Sequence, residues 1–385
     1  MRRALVIAVG TVASTAGLGG LTATAVAAGA HVRATDSRAP GTVVAASPLR
    51  RALWIPGTTS RAFKLKYVTL DARGRRALST GTVFVPKGRA PRGGWPVISW
   101  AHGTSGLGDR CAPSVVGPAL PHRDRPYLAN WMREGYAVVA SDYAGLGTPG
   151  LPAYLNGRSE AHNIVDMVKA GRAYARGLAR KFVVIGQSQG AGAAIYTARY
   201  ATRFGGRGLD YRGAVGTGTP AYIENVVDGI GPGFPALSPA TNVYLSYIFA
   251  SLRWVYPELG IGGILTPTGR KFLTLAETKC GLPFEKDLEN ADIGHFFTRP
   301  VSGLPNFAAT VARYMAMPET GFDKPFFMGH GRKDADVPYS LTIPYVRKLQ
   351  ANHQPLTFKT YDADHSGTLL RSQKDTHPFV RRLFG

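Results

Sequence analysis

The chain has 385 residues, 44% of them hydrophobic, and carries 46 Lys and Arg against 24 Asp and Glu for a formal net charge of +22. Its basic residues are scattered, mostly as arginine, without aromatic residues interleaved on one helix or sheet, which argues against nucleic acid and leaves either contact with anionic lipid, wall polymer or an anionic product, or mere compositional bias. No internal repeat, no glycine-rich phosphate loop and no His/Cys/carboxylate cluster with zinc spacing can be read, so neither a cofactor nor a metal is expected.

In chain order, Met1-Arg2-Arg3 is a short basic segment, Ala4 to Ala27 is apolar and small, and Ala25-Val26-Ala27 offers an A-x-A cleavage site. Residues 1–27 therefore read as a secretory signal peptide rather than a membrane anchor, with Arg2-Arg3 leaving a twin-arginine route open. No other apolar run reaches membrane-spanning length. The polar, Pro- and Gly-bearing stretch 28–50 reads as a flexible leader, and 51–385 as one α/β domain. Leu65 to Leu70 and Gly81 to Val85 predict a hairpin across Asp71-Ala72-Arg73-Gly74. Parallel strands follow at 97–100, 137–142, 182–185, 213–216, 325–328 and 356–361, with helices at 127–134, 160–178, 191–204 and 340–350. Strands alternating with helices predict a doubly wound, mostly parallel sheet. The alternation fails between Pro220 and Pro318, where 242–255, 268–278 and 307–317 are helix-like, so this stretch reads as an inserted helical cap or lid. Its segment from Val243 to Tyr256 is more apolar and aromatic than one amphipathic stripe requires. Any one of these side chains either fills the insertion's own small core or lines a tunnel or meets lipid. Together they are too many for the core alone, and Tyr247 and Phe249 are the two expected to line an acyl tunnel or meet lipid. Two cysteines, Cys111 and Cys280, leave either one bridge in an oxidising compartment or two buried thiols.

The chemistry centres on Lys181 to Gly190, KFVVIGQSQG: a β-branched and aromatic run, then Gly186-Gln187-Ser188-Gln189-Gly190, then a small-residue helix. Strand, sharp turn and helix with serine at the apex describe a nucleophile elbow, in which glycine two residues to either side avoids collision with the neighbouring strand and helix. A serine hydroxyl needs a base, and the base needs an acid to orient it. On a sheet carrying such an elbow the chain order is Ser, acid, His. Beyond Ser188 the strand 324–330 opens into Gly331-Arg332-Lys333-Asp334-Ala335-Asp336-Val337-Pro338, which points to Asp334 as the acid and Asp336 as its alternative. The next strand, 356–361, ends in Asp362-Ala363-Asp364-His365, making His365 the base. His353 and His377 lie away from the carboxyl edge of the sheet, and His330 falls inside a strand as a core residue or a neighbour of the site. Upstream, the strand 95–100 opens into Ala101-His102-Gly103-Thr104, whose Gly103 or Thr104 N–H would face that of Gln189 across the tetrahedral oxyanion.

With these residues assembled, the chain resembles the secretory lipases, the α/β-hydrolase group of the fungal lipase A type and its actinobacterial relatives. The resemblance rests on Val97 to Gly106 (VISWAHGTSG), Cys111-Ala112-Pro113-Ser114, Ser141-Asp142-Tyr143-Ala144-Gly145, Gly186 to Gly190, Lys279-Cys280-Gly281-Leu282-Pro283, Asp334 and His365, and covers nearly the whole chain from about residue 51. It implies an α/β-hydrolase fold, a Cys111–Cys280 disulfide, and an extracellular serine lipase acting on acylglycerol or other lipid esters beneath a helical lid. Some relatives carry an acidic residue in the loop where this chain has His102-Gly103-Thr104. The same triad would also serve a secreted short-chain carboxylesterase, a peptidase or an acyltransferase. A hydrolase-fold binding protein without chemistry is disfavoured because all three triad positions are filled.

Overall fold

The structure, a computed structural model, describes residues 38–385. The expected signal peptide and residues 28–37 lie outside that range. The chain begins with three antiparallel strands, β1 (Val43–Pro48), β2 (Thr59–Leu70) and β3 (Arg76–Pro86), followed by β4 (Trp95–Ala101), α1 (Pro113–Val116), α2 (Pro121–Arg133) and β5 (Ala137–Ser141). Next come α3 (Gly157–Tyr174), β6 (Leu178–Gln187), α4 (Gln189–Gly205) and β7 (Asp210–Thr217). A helical stretch holds α5 (Ile223–Asp228), α6 (Pro239–Val255), α7 (Pro267–Ala276), α8 (Gly281–Asp287) and α9 (Phe307–Met315). The chain closes with β8 (Phe326–Gly331), α10 (Tyr339–Ala351), β9 (Leu356–Tyr361), α11 (His365–Arg371) and α12 (Gln373–Phe384).

Among the described residues, nine strands form one sheet in the order β1-β2-β3-β5-β4-β6-β7-β8-β9. Pairing is antiparallel from β1 to β5 and parallel from β5 to β9, so the predicted doubly wound sheet is what the chain forms. Along β6 the two-residue period of a strand separates the faces. Phe182 and Val184 meet α3 and α4 in one core, while Val183 and Ile185 join Trp131 of α2 and Val380 of α12 in the other. A third core lies within the insertion between β7 and β8, where Phe249, Phe284, Phe296 and Phe307 are fully buried.

Several elements run longer than the sequence reading has them, α2 by six residues at its start and β2, β3 and β6 by four or more, and two differences have a clear physical reason. The predicted leader 28–50 contributes β1, which pairs with β2 from Val43 to Pro48 and is prolonged by Gly41 N–H donating to Val68 O at 2.7 Å. An edge strand needs a partner on one side only and leaves most side chains in solvent, so V-V-A-A-S-P, without alternation and set among Pro, Gly and polar residues, carries no strand pattern. The predicted helix 160–178 starts earlier, because the Asn156 side chain accepts from Ser159 N–H at 3.0 Å and caps α3, and it ends at Tyr174 before β6 begins.

Cys111 and Cys280, 169 positions apart in sequence, form a disulfide with Cα atoms 5.4 Å apart. It ties the loop after β4 to the start of α8. Closing a loop of this length removes at most about 5 kcal/mol of chain entropy from the unfolded state. Peptide mapping without reductant is expected to recover the 111–280 pair, and reduction to lower the melting temperature by several degrees. Two alkylatable thiols in the native protein would contradict the pairing.

Candidate active site

Ser188 sits between β6 and α4 with φ 61° and ψ −125°, a left-handed conformation that a non-glycine residue holds at a cost of about 1–3 kcal/mol. The surrounding backbone enforces it. A Cβ on Gly186 would lie 1.9 Å from Gly190 O, and one on Gly190 would lie 1.9 Å from Ala101 O. Both positions accept only glycine, and β4 is thereby pressed against the first turn of α4. Ser188 N–H donates to Thr217 O at 2.9 Å, which anchors the elbow to the end of β7. The serine remains half-exposed.

Asp334 follows β8, and His365 follows β9 as the first residue of α11. The two meet at 2.7 Å between Asp334 Oδ2 and His365 Nδ1, with both side chains buried. The other carboxylate oxygen, Oδ1, accepts from Val337 N–H at 2.8 Å, so the aspartate is held from both ends. Ser188, Asp334 and His365 thus stand at the carboxyl ends of β6, β8 and β9 on one edge of the parallel half of the sheet, and Gln187 Nε2 reaches His365 O at 3.4 Å to link the elbow to the histidine's backbone. Nε2 of His365 is buried and makes no hydrogen bond among the described residues. A pre-reaction histidine commonly closes its catalytic contact only with substrate in place.

Asp336, the alternative acid, is half-exposed and accepts from Tyr244 OH at 3.3 Å, while one of its oxygens stays within 4.8 Å of ligand atoms of Asp334 and His365. The three could in principle face a cation, but the histidine and Asp334 already satisfy each other. His330 is fully buried on β8, where its Nε2 lies 2.9 Å from Val337 O and 3.4 Å from Asp334 Oδ2. Burial lowers its pKa, so the ring stays neutral, with Nε2–H donating to the carbonyl and supporting the aspartate's loop. His377 packs flat on Trp131 at 4.0 Å on the far side of the sheet, away from this edge.

The loop after β4 closes the opposite side. Gly103 abuts the elbow, since a Cβ there would lie 3.2 Å from Gln187 O and 3.6 Å from the Ser188 Cβ. Thr104 is half-exposed and its Oγ1 lies 2.6 Å from Tyr154 OH. Gln189 is the first residue of α4, so its N–H has no intrahelical acceptor and lies at the helix's positive end. His102 packs against Tyr143 with ring centroids 4.5 Å apart and planes tilted by 31°, and Tyr143 OH donates to His102 O at 3.1 Å, fixing the loop; burial lowers the His102 pKa. Asp142 joins the same framework by accepting from Ser114 N–H at 2.9 Å and Thr80 Oγ1 at 2.6 Å.

The sequence reading missed two residues. At Gly218 (φ 63°), just after β7, a Cβ would lie 2.8 Å from His365 Cε1, so glycine makes room for the imidazole. Glu160 on α3 is buried and accepts from Gln189 Nε2 at 2.8 Å. Only a lone glycine after a strand signalled the first, and no local pattern signalled the second.

Tyr247 and Phe249 require a correction. Both are fully buried in the insertion's own core, Phe249 against Phe297 at 4.7 Å and Tyr247 against Phe284 at 5.6 Å, with Tyr247 OH donating to Lys279 O at 3.1 Å. The insertion is thick enough to need its own core, and these rings fill it. The cavity that does open beside Thr104 is about 340 Å³ and is lined by Leu120, Val243, Tyr244, Cys280 and Pro283.

With an elbow serine, an aspartate–histidine pair and a glycine-bearing loop at one sheet edge, the chain can be set beside known proteins. It is similar to Candida antarctica lipase A in its closed state, with a TM-score of 0.72 and 20% identity over 90% of this chain and 82% of that one. The fold is that of a lipase A-type α/β-hydrolase. A ligand-bound form of the rice cell wall degrading esterase LipA from Xanthomonas oryzae is also similar, with a TM-score of 0.70 and 20% identity over 88% of this chain and 98% of that one. No family model and no curated protein matches the chain by sequence. Among the described residues, no helix is long and apolar enough to cross a membrane.

Proposed function

We propose that the protein is a secreted serine hydrolase of carboxylic esters, acting on acylglycerols or similar lipid esters. The carrying observation is the strained Ser188 on the same sheet edge as the buried Asp334–His365 pair, 2.7 Å apart. Ser188 Oγ attacks the ester carbonyl while His365 Nε2 takes its proton. Asp334 holds Nδ1–H and stabilises the imidazolium. Negative charge on the carbonyl oxygen is received by the N–H of Gln189 and that of Gly103 or Thr104. The tetrahedral intermediate collapses, the alcohol leaves with the proton from His365, and a water activated by the same histidine hydrolyses the acyl-enzyme. No metal or cofactor enters this sequence. The insertion between β7 and β8 serves as the lid, and the cavity beside Thr104 is the natural acyl site. The hydrolase reading is favoured over a bare binding protein because every proton and charge in this sequence has a residue placed for it.

A fluorophosphonate probe is expected to label Ser188 alone, with peptide mapping as the check. Label on Ser105 or Ser114 would overturn the reading. At 340 Å³ the cavity lies at the small end of ordinary ligand sites, enough for a medium-length chain. Each buried CH₂ contributes about 0.8 kcal/mol, roughly a fourfold gain, so kcat/KM on p-nitrophenyl esters should climb from acetate toward octanoate. Val243→Phe, which fills the cavity, should move the optimum to shorter chains. A preference for acetate that Val243→Phe leaves unaltered would make the protein a short-chain esterase.

A further inference from the structure

We infer that Glu160 is a positioning residue that holds both halves of the oxyanion site, an inference that rests on the serine-hydrolase reading. Glu160 lies in the first turn of α3, beneath the elbow, and only 3% of it is exposed. Its Oε1 accepts from the side chain of Gln189 at 2.8 Å, the residue whose own backbone N–H opens α4. The backbone N–H of Leu155, held at φ 61°, donates to the same carboxyl group. Leu155 follows Tyr154, and Tyr154 OH lies 2.6 Å from Thr104 Oγ1 in the opposing loop. One buried carboxyl therefore reaches the elbow through Gln189 and the facing loop through the Tyr154–Leu155 segment. An amide side chain at position 189 has no exposed role here, since it is itself buried.

The charge state of this group matters to an anion formed above it. The titratable groups that face Glu160 are the phenols of Tyr143, Tyr154, Tyr196 and Tyr314, all pushed up by burial, and no cation is among the causes that set its own protonation. Desolvation raises its pKa to about 8 against the opposing pull of its two hydrogen bonds. Below that pH the carboxyl is neutral. Above it, a negative charge sits beneath the site where the transition state builds its own, so turnover falls as pH rises through about 8.

The test is the pH dependence of kcat on a soluble p-nitrophenyl ester, in the full secreted chain and its variants. The parent should lose activity as the pH passes about 8, and Glu160→Gln, which cannot ionise, should lack that alkaline fall. Glu160→Ala leaves Gln189 Nε2 without its acceptor and should lower kcat about tenfold with KM within a few-fold, and Glu160→Gln should recover much of that loss. If Glu160→Ala does not fold, Gln189→Met, which keeps the shape but cannot donate, should show the same kcat loss. An alkaline fall that persists in Glu160→Gln, or a parent profile flat through pH 9, would overturn the role of Glu160 while Ser188 still took the probe. Absence of probe on Ser188 would instead remove the reading beneath it.

Discussion

Ser188→Ala is expected to reduce kcat for ester hydrolysis by about 10⁶-fold while the melting temperature stays put. The substitution removes only the attacking oxygen. Alanine keeps the Cβ already accommodated at φ 61°, and the backbone bond from residue 188 N–H to Thr217 O is retained, so the elbow keeps its shape. His365→Ala should cost about as much, because nucleophile and base act as one unit and losing either stops proton transfer from Oγ. The double variant should then be scarcely slower than either single one. Steady-state rates on one p-nitrophenyl ester, with circular dichroism to confirm folding, decide the matter. Additive losses, or a Ser188→Ala protein within a hundredfold of the parent, would place the nucleophile elsewhere.

Asp334→Asn is expected to lower kcat by about 10⁴-fold, and Asp336→Asn by less than tenfold. The asymmetry follows from what each oxygen does. Val337 N–H claims Oδ1 of residue 334, so an asparagine there would turn its amide oxygen to Val337 and its NH₂ to His365 Nδ1. The imidazole would then have to accept at Nδ1 and carry its proton on Nε2, the nitrogen that must take the proton from Ser188. Asp336 only receives the phenol of Tyr244 at 3.3 Å, and asparagine accepts that bond equally well. Rates of the two variants, measured at one pH with folding checked, test this. The opposite ranking would make Asp336 the acid and shift the loop's role by two residues.

Much of this architecture was legible before any coordinates. The parallel strands at 97–100 and 182–185 announce themselves because strands buried on both faces are continuous apolar runs, the edge strand 356–361 because Leu356 and Phe358 alternate with Thr357 and Lys359, and the elbow because two glycines flank one serine between a strand and a helix. Asp334 and His365 were legible from order along the chain: both follow a strand, and only loops after parallel strands reach the edge where Ser188 sits. Edge strand β1 was not, since V-V-A-A-S-P shows no alternation of apolar and polar residues and lies in a Pro- and Gly-bearing stretch.

What the amino-acid sequence determined by itself is local: periodicity, glycines where no Cβ fits, and an acid and a histidine placed after successive strands. What only the tertiary structure decided is which distant groups share one volume. Glu160 and Gln189 are 29 positions apart and on different helices, yet their side chains meet because α3 and α4 pack on the same face of the sheet. Gly218 matters only because β9 brings His365 against it. Tyr247 and Phe249 carry the same apolar character whether they line a cavity or fill a core, and hydrophobicity has no direction. The packing of Phe284, Phe297 and Phe307 around them assigned both to the core.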